Sequence, residues 1–146
     1  MTLESQVCSL ELAKRIDQFR IGAKHRCSLF IWLQKYKRGG GLSDDYHLVY
    51  RKDMFKGPGP ASCDMRDQIA AYTVAELGEM LPASFDWTGT NVFVEYGKSS
   101  IHGDYLINLR ECARPERMTI HIRADTEADA RAKMLIYLLE NKLITL

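Results

Sequence analysis

Apolar residues recur at helical spacing near the end of the chain, where Ala128, Ala132, Leu135, Ile136, Leu139 and Leu143 form one stripe between Thr126 and Leu143. Thr126, followed three residues later by Asp129, has the form of a capping box, and Asn141 offers a left-handed stop. A stripe of this kind must be buried against a large apolar surface. Three runs upstream supply one by alternating with period two: Val92, Val94 and Tyr96, then Tyr105, Ile107 and Leu109, then Met118, Ile120 and Ile122. The pattern predicts an antiparallel meander with the C-terminal helix packed on its apolar face. Glu95, Asp104, Asn108, Thr119, His121 and Arg123 fall on the other face.

Earlier in the chain, Ser9 can cap a helix from about Leu10 to Arg20 that ends at Gly22, with Leu12, Ala13, Ile16 and Phe19 on one side. Cys27 to Lys37 reads as a strand that is apolar on both faces, Leu29, Ile31 and Leu33 on one and Phe30, Trp32 and Tyr36 on the other. Tyr46 to Lys52 pairs with it as a hairpin around the Gly39 to Gly41 turn, and the Gly- and Pro-rich stretch from Met54 to Cys63 is a loop. Thr73 and Glu76 form a second capping box, for a helix that Pro82 limits and that turns Val74, Leu77 and Leu81 inward. Asp86 to Asn91 reads as a polar turn. The expected fold is therefore α+β in the order α-β-β-α-β-β-β-α, with three helices and an antiparallel sheet of about five strands.

Several of these segments together resemble small uncharacterised proteins encoded by phages, prophages and related bacterial mobile elements. The similarity is carried by the run from Ala124 to Ile144, by Thr73 to Pro82, and by Leu10 to Ala13 with Gly22, Ser28-Leu29-Phe30 and Trp32. These are cap and core residues, so the resemblance implies a shared fold and a phage-like origin and brings no chemistry with it.

At 146 residues, 46% hydrophobic and 27% charged, the sequence fits a single domain spanning 1–146. No apolar run approaches the roughly 18 residues of a membrane helix, and no basic segment precedes an apolar one at the start, so a cytoplasmic protein without membrane attachment is expected. Cys8, Cys27, Cys63 and Cys112 have neither disulfide-framework nor zinc-ribbon spacing and are expected as free thiols. The net charge of +1 conceals an uneven distribution. The stretch from Met1 to Arg38 carries eight Lys or Arg against Glu4, Glu11 and Asp17, so the remainder is net acidic.

Two constellations bear on function. On the polar meander face, Glu95, Asp104 and His121 would lie on neighbouring strands, with Arg123 able to hold an anion, as a small enzyme would require. An ordinary solvated face explains the same residues and is favoured. In the basic part, Phe30, Trp32 and Tyr36 beside Lys35, Lys37 and Arg38 could form a binding surface, for nucleic acid if the rings are exposed and for protein if they are covered. Met134, Tyr137 and Leu138 lie outside the helix stripe and are expected to meet another helix or a partner, a second copy of the chain included. His25, His47, His102 and His121 show no ligand spacing, so neither metal nor cofactor is expected. The favoured reading is an accessory module that binds protein.

Overall fold

The computed structural model of the protein describes residues 3–19, 30–36, 42–50 and 68–146, with backbone alone at 35, 36, 42–44, 115, 118 and 119. A short 3-10 helix (Leu3–Gln6) leads into α1 (Leu10–Gln18), β1 (Phe30–Tyr36), β2 (Leu42–Tyr50), β3 (Gln68–Ala71), α2 (Val74–Met80), β4 (Ser84–Trp87), β5 (Thr90–Lys98), β6 (Tyr105–Glu111), β7 (Arg114–Ala124) and α3 (Glu127–Glu140). The architecture is α+β with antiparallel strands and the C-terminal helix on a sheet. The five expected strands are present and two short ones join them. As a result there are two sheets, in the orders β2-β1-β3 and β4-β5-β6-β7.

The larger sheet follows the alternation except at a register shift in β7, where Met118, expected in line with Ile120 and Ile122, pairs with Arg110. Val94 pairs with Leu109 and Leu109 with Ile120, while Tyr96 pairs with Ile107 and Ile107 with Ile122. Residues directly opposite share a face, so one side of the meander is an apolar floor. β4 enters it through a two-residue turn in which Thr88 (φ 53°) and Gly89 (φ 81°) are both left-handed, as a type I′ hairpin demands. The Asp86 carboxylate accepts from the Gly89 N–H at 2.9 Å and fixes that turn. The predicted polar turn is therefore mostly strand, with only Thr88 and Gly89 left as turn: Ser84–Trp87 pairs with Thr90 to Phe93, and Phe85 and Trp87 pack on the core.

α3 lies at the centre of the core, touching β6, β7, α1, α2 and the 3-10 helix. Its expected stripe is buried through Ala128, Ala132, Leu135 and Ile136, with Leu139 and Leu143 partly so. Ala130, Met134 and Leu138, off the stripe, are also fully buried. Met134 and Leu138 are thus used up inside the chain, because α1 and α2 cover the side of α3 that the sheet does not. Tyr137 is partly buried against the same core. None of the three is left as an open surface for a second copy.

The helix ends show where local chemistry ruled and where it did not. At α2 both halves of the capping box form: Thr73 Oγ1 accepts from the Glu76 N–H at 3.2 Å, and Glu76 Oε2 accepts from the Thr73 N–H at 2.7 Å. At α3 only half of it forms, with the Asp129 N–H donating to Thr126 Oγ1 at 3.1 Å. The Asp129 carboxylate instead accepts from the backbone N–H of Ser9, the N-cap of α1, at 2.6 Å. Ser9 makes no side-chain cap of its own. α3 ends in a Schellman arrangement, with Leu143 N–H donating to Leu138 O at 2.8 Å and Lys142 N–H to Leu139 O at 3.1 Å. The left-handed residue is Lys142 (φ 55°), one place beyond the predicted Asn141 (φ −86°). α1 ends at Gln18, and the predicted stop at Gly22 lies outside the described residues.

Candidate functional site

The polar face of the meander is an interlocked network. Glu95, Asn108 and His121 occupy one rung across β5, β6 and β7. Glu95 Oε2 accepts from Arg110 Nε at 2.7 Å and from Asn108 Nδ2 at 3.2 Å. Asn108 Oδ1 then faces His121 Nδ1 at 2.7 Å, and Arg123 Nε donates to His121 Nε2 at 2.7 Å. Since Asn108 already gives its amide proton to Glu95 and Arg123 can only donate, the imidazole carries its proton on Nδ1. Arg110 foremost, and Asn108 after it, hold the Glu95 carboxyl below its usual range.

The predicted Glu95, Asp104 and His121 grouping does not converge. Glu95 and His121 are two strand spacings apart, roughly 9–10 Å, with Asn108 between them. Asp104 sits four residues from Asn108 along the chain, at the far end of β6, beside Asp125, Asp129 and Lys133. Arg123 is engaged by His121. What stands here is a set of satisfied side chains on an open sheet face, with Asn108 the buried polar group at its centre.

The aromatic strand is likewise turned to structural use. Trp32 is partly buried against the core and its Nε1–H donates to Cys8 O at 3.3 Å. Phe30 leans on Tyr50 with ring centroids 5.4 Å apart, and Ile31 on the opposite face is completely buried. Phe30 and Trp32 are thus each part-buried rather than fully exposed. The side chains of Lys35 and Tyr36, and all of Lys37 and Arg38, lie outside the described residues. Of the N-terminal basic groups, Lys14 covers the Tyr46 ring at 4.4 Å and Arg15 pairs with Glu140 at 2.5 Å.

A groove of about 980 Å³ is bounded by the 3-10 helix, the first turns of α2 and α3, and the β5–β6 hairpin. Val74, Ala75 and Tyr105 give it apolar wall. Lys98, its ammonium 5.0 Å from the centre of the Tyr105 ring, stands on the hairpin rim. Glu79 and Asp125 stand on the helix rims, exposed and with no ion pair to any described residue. Arg131 forms part of the floor: Nε and Nη2 both donate to Glu127 Oε1, at 3.0 and 2.6 Å, and the guanidinium lies 4.3 Å from the centre of the Tyr96 ring. Burial pushes the Tyr96 phenol up, partly offset by Arg131. Gly78 makes this seat possible, because a Cβ there would stand 2.5 Å from Arg131 Nη1.

Sequence reasoning identified Thr73 and Thr126 as caps but not the groove they border. The Glu127–Arg131 pair, spaced i,i+4, was the one local signal of its floor. Among the described residues no three His, Cys, Asp or Glu side chains gather as metal ligands. No described helix is long and apolar enough to cross a membrane.

The two described cysteines are free and differ sharply. Burial pushes the Cys8 thiol up to about 12, whereas Cys112 is exposed. A maleimide applied to the folded protein at neutral pH, followed by peptide mapping, is expected to modify Cys112 rapidly and Cys8 only as fast as the protein opens. Equal rates would show Cys8 to be accessible. Keeping this thiol neutral contributes stability that is complete below its ordinary value of 9.0 and is lost above it, by about 1.4 kcal/mol per pH unit, until the folded-state value is reached.

No protein-family model matches this chain, and no curated protein or solved structure was found to be significantly similar to it.

Proposed function

We propose that the chain is a protein-binding accessory module, of the phage and mobile-element kind that its sequence resembles, working in the cytoplasm and seating a segment of another protein in the groove beside α2 and α3. The groove itself carries this reading. Its volume of about 980 Å³ is at the upper end of the range for specific binding sites, and its apolar wall carries a cation on one rim and carboxylates on the other. Such a lining suits a peptide, which offers apolar side chains and both signs of charge. No histidine or cysteine is among its described lining residues, so these form neither a Ser–His nor a Cys–His pair.

The test is selection of a displayed random-peptide library on the protein, with Ala75→Trp as the counter-target. Ala75 is exposed on the first turn of α2, so tryptophan there fills the groove without entering the core. Peptides are expected that bind the parent and lose at least about tenfold in affinity on the filled groove. Peptides that bind both equally, or none at all, would remove the groove as a docking site.

A further inference from the structure

The turn from Ser99 to Asp104 forms part of the groove's rim, since Lys98, Gly103 and Tyr105 line the groove. It is closed by Gly103 N–H donating to Ser99 O at 3.0 Å, Ser99 N–H to Asp104 O at 2.7 Å, and His102 N–H to Ser99 Oγ at 3.2 Å, with Gly103 left-handed at φ 76°. At the tip of this well-tied turn stands Ile101, 83% exposed, far more than any other large apolar side chain described. A β-branched side chain on a fixed turn loses little conformational freedom when it docks, which is the character of an interface anchor.

We infer that the groove is occupied by a second copy of this chain, the Ile101 turn of each copy entering the groove of the other about a two-fold axis. The inference rests on the groove being a protein-docking site and names its first occupant. A two-fold interface requires that protrusion and recess lie side by side on one face, so that each copy offers what the other takes. Ile101 stands on the turn that rims the groove, so protrusion and recess adjoin. The charges meet it too: Lys98 is on the hairpin side, while Glu79 and Asp125 are on the helix side without described partners, and a two-fold axis brings opposite rims together. An external segment then binds only by displacing the second copy, so dimerisation and partner capture exclude one another.

Sedimentation velocity of the full chain, from micromolar to near-millimolar concentration, tests the inference. The parent is expected to show a monomer–dimer equilibrium, and Ile101→Asp to raise its dissociation constant at least about 30-fold, as loss of a central apolar anchor does, with an unchanged thermal melt. Ala75→Trp is expected to do the same from the recess side. Mixing the two variants should restore part of the dimer, because one of the two half-sites in the mixed pair is intact. A parent that stays monomeric throughout, or a dimer that neither substitution weakens, overturns the inference. If that monomer still binds groove-selected peptides, the docking site stands and only the second copy is rejected.

Discussion

Leu135→Asp is expected to abolish cooperative unfolding. Leu135 is completely buried on α3, and β6, β7, α1 and α2 all touch that helix, so a carboxylate introduced there has no water and no cation to meet. An unpaired buried charge costs several kcal/mol beyond the ~2–5 kcal/mol lost with the leucine packing, which together approach or exceed the whole stability of a domain of this size. Protonation of the introduced acid recovers only part of it. Circular dichroism melts and urea titrations read the outcome: no sigmoidal transition, against a single one for the parent. A variant that melted like the parent would mean that Leu135 is not in the core.

Asp129→Ala should cost about 2 kcal/mol, the size expected for a hydrogen bond to a charged group in a partly buried setting. One carboxylate serves two helices here. It favours the positive end of α3, from within its first turn, and takes the backbone N–H of Ser9 at 2.6 Å, closing the start of α1. Residues 120 positions apart are joined by this contact, so its loss should loosen the packing of α1 on α3 as a unit. The melting temperature should fall by roughly 4–8 °C, and amide exchange through α1 should quicken. Asp129→Asn, which keeps an acceptor without the charge, should lose less. Unchanged melting of Asp129→Ala would show that Ser9 finds an equally good partner in water.

The sequence and the structure agree wherever the deciding interaction is local. The capping box at Thr73 and Glu76 closed as its spacing indicated, and the alternation in β5, β6 and β7 placed Val94, Leu109 and Ile120 on one apolar floor. β4 escaped notice because Thr88-Gly89 lacks the Asn or Asp usual at such turns, and β3 because Gln-Ile-Ala-Ala carries no alternation. Period two reports that a strand has one wet face and says nothing of its neighbours, which is why one sheet was expected and two formed.

By itself, then, the sequence determined the helices, the inward faces and the α+β class, because caps and periodicity act within a few residues along the chain. Only the tertiary structure decided that the Asp129 carboxylate takes the Ser9 N–H of α1 rather than closing the capping box of α3, that Met134 and Leu138 are buried under α1 and α2, and that Asn108 separates Glu95 from His121. The groove belongs to the same group, since its walls come from the 3-10 helix, α2, α3 and a hairpin that approach one another only when the core closes. Contacts between residues far apart in the chain depend on register and layer order, and no residue's own chemistry specifies either.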